Sequence, residues 1–148
     1  SGYSGGRTNN PSYEEVGTGT TGHAESFEFD YDPSIVSFKD LLKIFIASID
    51  PTQVNGQGPD HGSQYRSIVF YRTEEERKIA QDYFDELNTS GQFKKPIAVE
   101  LTKFTKFWPA EDYHQNYVKL HPDNPYVQHE SVPRMNRTKA KLPSYFKK

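Results

Sequence analysis

The sequence predicts an α+β fold, in the form of a two-layer α/β sandwich with a mixed sheet. Two segments carry apolar residues at helical spacing, and short β-type segments alternate with them along the chain. Alternating strands and helices favour two packed layers, because each amphipathic face must be covered by the other layer. At 148 residues, of which 33% are hydrophobic, the chain has the size of one domain with a modest core.

The first strand is predicted from Ala24 to Tyr31, where polar and apolar residues alternate. Alternation places Glu25 on the same face as Phe27 and Phe29. A carboxyl group on an apolar face is desolvated, so its pKa should rise, which is the property of a general acid near neutral pH. The alternation pattern alone favours the alternative, in which the end of the strand frays and the Glu25 side chain reaches water.

The segment before this strand, residues 9–23, is predicted to be a shaped loop and not a helix. Asn10 and Pro11 favour a turn, and three glycines supply the positive φ values that other residues resist. These glycines are Gly17, Gly19 and Gly22. Because Tyr13 lies in this loop next to the Glu25 strand, we expect the active surface to be built around it.

Two amphipathic helices follow. Ser37 is the expected N-cap of the first, and Asp50-Pro51 ends it. Its apolar residues match the helical template and are Phe38, Leu41, Leu42, Phe45, Ile46 and Ile49. Thr73 and Glu76 form a predicted capping box for the second helix, which Gly91 ends.

Two further strands are predicted at residues 65–71 and 97–101, both rich in apolar residues. The polar loop 52–64 precedes the first of them. A loop of this length without regular structure is usually functional or disordered. Its polar residues Asp60 and His61 are therefore candidates for a ligand site.

The last part of the chain is predicted to be a short helix and a tail. Pro109 suits the first turn of a helix that carries Glu111 and His114. From His121 the chain becomes polar and proline-rich, which predicts an extended, irregular C-terminal tail. The expected division is a domain at residues 1–120 and the tail at residues 121–148.

Composition excludes several classes of protein. The formal net charge of -2 provides no polycation for nucleic acid, and the absence of any long apolar run argues against a membrane span. The chain has no cysteine, so it cannot form disulfides, thiolate metal sites or a thiol nucleophile from its own residues. The five histidines lack zinc-like spacing, and we expect neither a metal nor a cofactor.

Two short motif matches lack their structural context. Residues 17–22 fit the dinucleotide pattern G-x-G-x-x-G, but a strand follows them where a helix N-terminus is required. Residues 2–6 fit G-x-S-x-G, but the proline-containing segment 9–11 prevents the helix that a nucleophile elbow needs. Turn geometry explains both better than nucleotide binding or serine catalysis.

Nine polar residues fall at the ends of elements or in loops, where sites on α/β scaffolds assemble. They are Tyr13, Glu25, Asp60, His61, Tyr65, Glu111, Asp112, His114 and Tyr117. Each one alone is typical of a solvated surface residue. Together they predict an acid and phenols that face a small polar ligand.

Six motifs, in this order, resemble the peptide methionine sulfoxide reductase A family. They are GYSGG at 2–6, NPSYEEV at 10–16, TGHAE at 21–25, DPTQ at 50–53, DHGSQYRS at 60–67 and PAEDYHQNY at 109–117. The resemblance covers nearly the whole chain. It implies a ferredoxin-like core, here without its first strand and helix, and the reduction of methionine-S-sulfoxide, free or in oxidised proteins, to methionine.

The family's chemistry assigns roles to several of these residues. A cysteine thiolate attacks the sulfoxide sulfur while a glutamic acid protonates the oxygen, leaving a sulfenic acid on the enzyme. The resemblance implies that Glu25 is this acid and that Tyr13 and Tyr65 bind the oxygen, with Asp60 also in the catalytic set. The implied substrate-binding residues are Tyr13, Glu25, Asp60, His61, Tyr65 and Tyr117. A sulfoxide oxygen that gains negative charge requires such donors, so the desolvated interpretation of Glu25 becomes the preferred one.

The chain differs from the family in lacking the nucleophilic cysteine. The family's Gly-Cys-Phe-Trp tract, which also forms the pocket for the substrate's methyl group, is expected upstream of residue 1. Gly17 stands where many members have a resolving cysteine, and Met135 is the only sulfur-containing residue. We therefore expect a truncated reductase that is inactive alone or, as an alternative, a non-catalytic module that binds methionine sulfoxide or a protein. The resemblance implies thioredoxin or another thiol reductant, and we expect a monomer in the cytoplasm sooner than the periplasm.

Overall fold

The computed structural model describes residues 1–147 as a mixed α/β structure with small sheets. The strands are β1 (Gly2–Ser4), β2 (Ala24–Ser26), β3 (Gly56–Gln57), β4 (Asp60–His61), β5 (Ile68–Tyr71), β6 (Glu100–Lys103) and β7 (Phe107–Pro109). The α-helices are α1 (Tyr13–Gly17), α2 (Phe38–Ser48), α3 (Glu74–Thr89), α4 (Tyr117–Leu120) and α5 (Val132–Lys141). The mixed α/β class expected from the sequence is thus confirmed.

One antiparallel sheet has the strand order β2-β1-β7. Tyr3 of the central strand is opposite both Glu25 and Trp108. The prediction of a strand from Ala24 to Tyr31 is wrong beyond Ser26. Because β1 contributes only three residues to the pairing, the later residues of the predicted strand have no backbone partner there, and Phe27 and Phe29 are exposed.

The hydrophobic core lies where α2 and α3 pack on the parallel pair of β5 and β6. Its buried residues are Leu42, Ile46, Ala80, Phe84, Leu87 and Val99. The two strands are shorter than predicted. Ser63–Tyr65 forms a 3₁₀ turn before β5, and β6 begins only at Glu100.

The predicted helices α2 and α3 are both confirmed, together with their N-caps. The Ser37 hydroxyl accepts a hydrogen bond from the Asp40 N–H at 3.0 Å, and the Asp40 carboxylate accepts one from the Ser37 N–H. The Thr73 hydroxyl likewise accepts from the Glu76 N–H. The capping box predicted there is only half formed, since the Glu76 carboxylate accepts from the N–H of Arg72.

The loop predicted at residues 9–23 contains a helix. Ser12 caps α1 with a complete capping box, in which its hydroxyl accepts from the Glu15 N–H and the Glu15 carboxylate accepts from the Ser12 N–H at 2.9 Å. The S-x-x-E spacing is the sequence signature of this box. The prediction of a loop without a helix is therefore wrong at Tyr13–Gly17.

Two expectations near the C-terminus are also wrong. Pro109 is not in a helix but is the last residue of β7, opposite Gly2, and a 3₁₀ turn follows at Asp112–His114. The extended tail is instead largely helical, with a π-helical turn at Val127–Ser131 and then α5. The wide turn lies directly before Pro133, whose ring and missing N–H do not fit an α-helical interior.

This C-terminal helical segment packs against α2. Lys141 Nζ donates to the Ala47 carbonyl at 3.2 Å, and the Tyr145 hydroxyl donates to Asp40 Oδ1 at 2.7 Å. The division at residue 120 stays a prediction. None of the helices within residues 1–147 combines the length and apolar character that a membrane crossing requires.

Candidate active site

A cavity of about 640 Å³ opens at one end of the three-stranded sheet. Among the residues predicted to form the site, those that line it are Tyr13, Glu25, Asp60, Tyr65, His114 and Tyr117. Four separate parts of the chain thus supply one cavity. His61 follows Asp60 on β4 but is exposed and outside the lining, and Asp112 is also exposed outside it.

Glu25 lies in the middle of β2, with Tyr3 as its cross-strand neighbour. Burial raises the pKa of the Glu25 carboxyl group above its ordinary value, and the nearby Asp60 raises it further. The side chain nevertheless remains accessible to solvent, because the surrounding protein leaves the cavity open on one side. A ligand that displaces water from this cavity would desolvate the carboxyl group more strongly and favour its protonated form.

Tyr65 ends the 3₁₀ turn and directs its phenol toward the same group of residues. Burial raises the pKa of Tyr65, and Glu25, Tyr13 and Asp60 raise it further through their charges. A tyrosine with a raised pKa keeps its proton. Tyr65 can therefore serve as a neutral hydrogen-bond donor in the cavity.

Asp60 is held at the cavity by a tight turn and by a tyrosine from the C-terminal segment. Gly62 has φ +135°, and a Cβ there would collide with the side chain of Gln64, so only glycine fits this turn. The hydroxyl of Tyr126 donates to Asp60 Oδ2 at 2.5 Å. Such short hydrogen bonds are typical of a charged acceptor.

Glu111 connects three residues of the site. Its carboxylate accepts from the Tyr13 N–H at 3.0 Å and from the Tyr3 hydroxyl at 3.2 Å. His114 Nε2 lies 3.2 Å from Glu111 Oε2 without hydrogen-bond geometry, and it has no other partner within residues 1–147. The Tyr13 ring in turn lies against the His114 ring, with 4.6 Å between centroids. Glu111 thus determines where α1 presents Tyr13.

These contacts also set the ionisation of Glu111. Burial alone would raise the pKa of this carboxyl group, but hydrogen bonds from Tyr13 and Tyr3 and the proximity of His114 outweigh burial and lower it. The carboxylate therefore stabilises the folded state above the ordinary glutamate pKa of about 4.3. This contribution is lost as the pH falls through the lowered pKa.

Glu111→Ala is expected to lower the free energy of unfolding by about 2 kcal/mol at neutral pH, because it removes these hydrogen bonds from a partly exposed group. The matched control is Glu75→Ala, since Glu75 is exposed on α3 and should change stability by about 0.5 kcal/mol or less. Urea unfolding measures both. The difference between Glu111→Ala and the wild type should narrow below pH 4, and a difference that stays constant in acid would contradict the role of the carboxylate.

His23 of the TGHAE motif organises the loop below the site and does not line the cavity. It is buried, its Nδ1 accepts from the Gly6 N–H at 3.0 Å, and its Nε2 lies 2.8 Å from the Thr8 carbonyl. Nε2 therefore carries the proton and donates to that carbonyl. The motif thus combines a structural histidine with the acid two residues later.

The sequence interpretation missed Tyr126, because this residue lies in the segment expected to be an irregular tail. The Asn124 side chain accepts from the N–H groups of Tyr126 and Val127. An asparagine followed by Pro125 is a recognised helix start. That pattern was available in the sequence and would have predicted the helical turn.

Comparison with known proteins identifies the family of the chain. The sequence profile of the family described as peptide methionine sulfoxide reductase matches residues 1–145. A peptide methionine sulfoxide reductase MsrA of Polynucleobacter asymbioticus is 44% identical over 144 residues, which cover 97% of this chain and 76% of the relative. A second such protein, MsrA 2 of a Synechocystis strain, is 48% identical over 137 residues, which cover 92% of this chain and 64% of the relative.

Solved structures show the same relationship. The reduced form of Mxr1 from Saccharomyces cerevisiae superposes with a TM-score of 0.74 at 32% identity, over 83% of this chain and 70% of Mxr1. Methionine sulfoxide reductase A of Corynebacterium diphtheriae superposes with a TM-score of 0.70 at 34% identity, over 83% of this chain and 63% of that protein. The fold is thus that of a class of oxidoreductases. The chain belongs to the peptide methionine sulfoxide reductase family.

Proposed function

We propose that the cavity binds methionine-S-sulfoxide, free or in an oxidised protein, and that Glu25 protonates the sulfoxide oxygen while a thiol reduces the sulfur. The observation that carries this proposal is the cavity that brings Glu25 together with Tyr13, Tyr65 and Asp60, in which burial raises the pKa of the Glu25 carboxyl group. The protonated form of the Glu25 carboxyl group and the phenol hydroxyls beside it provide hydrogen-bond donors. Donors are what an oxygen that accumulates negative charge requires.

In the proposed reaction, the thiol is the reductant of the sulfoxide. A thiolate forms a bond to the sulfoxide sulfur, and the oxygen takes the proton of Glu25. The S–O bond of the substrate then breaks as the hydroxyl group passes to the thiol sulfur, and the bond between the two sulfurs breaks with its electron pair left on methionine. Methionine is released and the thiol sulfur is oxidised to a sulfenic acid, which a second thiol converts to a disulfide and water. The two electrons that reduce the sulfoxide thus come from two thiols.

The thiol itself must come from outside the sequence, because the 148 residues contain no cysteine. Thioredoxin or another dithiol is the proposed final reductant. The protein is proposed to be a monomer and to be located in the cytoplasm. The absence of a nucleophile also favours a second candidate function, in which the cavity binds methionine sulfoxide or a protein without reducing it. Sulfoxide reduction is the first candidate function, because the geometry around Glu25 favours proton transfer.

The finer fold assignment, a ferredoxin-like core without its first strand and helix, is also part of the proposal. A groove of about 750 Å³ lies between β2 and β5 and is lined mainly by apolar side chains, with charged residues among them. Among the described residues, each of these strands pairs on one side only, β2 with β1 and β5 with β6. Two open strand edges on one apolar groove are consistent with the absence of a central strand.

Calorimetric titration with the S and R epimers of N-acetyl-methionine sulfoxide amide tests binding, and consumption of each epimer with dithiothreitol tests turnover. We expect the S epimer to bind more tightly and, if dithiothreitol can replace the protein thiol, to be consumed faster. Binding of the S epimer without turnover would support the binding module. Absence of binding for both epimers would exclude methionine sulfoxide as a ligand of this chain under either candidate.

The supporting residues can be tested in the same titration. Tyr117 lines the cavity and its hydroxyl accepts from Asn124 Nδ2 at 3.1 Å, so Tyr117 is proposed to contact the substrate. His61 is also proposed as a substrate contact, although it is exposed beside the cavity.

A further inference from the structure

Tyr126 lies at the start of the C-terminal helical segment, and its backbone is bound there. Asn124 Oδ1 accepts from the Tyr126 N–H at 2.9 Å, and the next residue, Val127, is almost completely buried. The π-helical turn Val127–Ser131 continues directly into α5, which packs on α2. The position of the Tyr126 backbone is therefore set by the helical segment.

The Tyr126 hydroxyl reaches the cavity and donates to Asp60 Oδ2 at 2.5 Å. Burial raises the pKa of Tyr126 to about 12, with the hydrogen bond to Asp60 as the next cause. Arg134 of α5 opposes this increase through its charge. The phenol therefore stays protonated and remains a donor to the carboxylate throughout the neutral range.

Asp60 in turn lies close enough to Glu25 for its charge to raise the pKa of that group. Both carboxyl groups line the same cavity, and Tyr126 borders it as well. The other titratable groups that interact with Glu25 are Tyr3 on β1 and Tyr65 at the end of the 3₁₀ turn. Of these groups, Asp60 is the only carboxylate. Its distance from Glu25 therefore controls the charge repulsion between the two carboxylates.

We infer that Tyr126 is a positioning residue that holds the Asp60 carboxylate beside Glu25 and thereby couples the C-terminal helical segment to the acid of the cavity. Without the phenol, the Asp60 side chain is free to rotate toward water, away from Glu25. The consequence for sulfoxide binding rests on the proposed function. The effect on Glu25 does not, because it requires no ligand.

The decisive experiment is the titration of the Glu25 carboxyl group by ¹³C NMR in protein labelled at glutamate, with Glu25→Gln used to assign the signal. Tyr126→Phe is expected to lower the titration midpoint of Glu25. The matched control is Tyr145→Phe, which removes another tyrosine-to-aspartate hydrogen bond from the same segment, between two residues that do not line the cavity. An equal midpoint in Tyr126→Phe and Tyr145→Phe would overturn the inference.

A second variant covers the case in which Tyr126→Phe fails to fold. Asp60→Asn removes the charge and is expected to lower the midpoint of Glu25 in the same direction. In the folded double variant, Tyr126→Phe should add nothing to Asp60→Asn, because both act through the same carboxylate. A midpoint that Asp60→Asn leaves unchanged, or a further decrease in the double variant, would refute the coupling.

Calorimetry with N-acetyl-methionine-S-sulfoxide amide separates this inference from the proposed function. If the wild type binds, Tyr126→Phe should bind about threefold to tenfold more weakly at pH 7 and recover at lower pH. Equal affinity at pH 7 would contradict the inference. If the wild type does not bind, the proposed function fails, and the carboxyl titration still decides the role of Tyr126.

Discussion

Where an added thiol supports turnover of methionine-S-sulfoxide, Glu25→Gln is expected to reduce that turnover by about 10²- to 10⁴-fold, the usual contribution of a general acid. Glutamine has nearly the shape of a protonated glutamate and still donates a hydrogen bond, but it cannot transfer a proton. The variant should therefore keep its affinity for the S epimer while losing the reaction. Turnover of both proteins is measured by consumption of the sulfoxide under the same thiol concentration.

The pH dependence of binding follows from the direction of the Glu25 pKa. Because this pKa is raised in the folded protein, the protonated donor is present at low pH and is lost as the pH rises through the raised value. Binding of the S epimer by the wild type should weaken over that range, whereas binding by Glu25→Gln should stay constant. Parallel pH profiles for the two proteins would show that another group controls binding.

The same group affects stability. A carboxyl group with a raised pKa in the folded state favours folding below its ordinary pKa of about 4.3, and this contribution disappears as the pH increases through the raised value. Glu25→Gln should therefore remove one decrease in the free energy of unfolding between acid and neutral pH. Glu75→Gln, at an exposed position on α3, should retain that decrease.

Phe84→Ala is expected to lower the free energy of unfolding by about 3 to 5 kcal/mol, because it leaves a cavity in the main core. Phe84 is 4% exposed and packs with Leu42, Ala80 and Leu87 between α2 and α3. For a chain of this length the loss corresponds to a decrease in melting temperature of about 10 °C. Thermal unfolding followed by circular dichroism provides the measurement.

Phe29→Ala is the matched control, since it makes the same change at a side chain that is 53% exposed. It should shift the melting temperature by about 2 °C or less. A comparable decrease in both variants would mean that Phe29 is covered in solution and that the groove beside β2 is occupied.

The two main helices and the candidate acid could be predicted because their patterns are local. The spacing of the apolar residues in α2 and the Ser37 cap depend only on neighbours within about two turns. The motifs that carry the family resemblance likewise contain their own residue types and spacing. Tyr13, Glu25, Asp60 and Tyr65 were therefore named from sequence, and the structure places all four at one cavity.

The strand ends and the C-terminal segment required the tertiary structure. A strand continues only where a distant segment offers backbone partners, so β2 stops at Ser26 although the alternating pattern continues. Pro109 is in a strand because Gly2 pairs with it. Helix α5 contains mostly polar residues and forms against α2, which its own composition did not predict.

The sequence by itself determined the family, the two core helices, the candidate acid Glu25 and the absence of cysteine from the 148 residues. Only the tertiary structure decided what surrounds the acid, because those contacts join residues that are far apart in the chain. Tyr126 and Asp60 are 66 positions apart, and Glu111 and Tyr13 are 98 apart. No local pattern encodes such pairs, since each depends on how separate elements pack together.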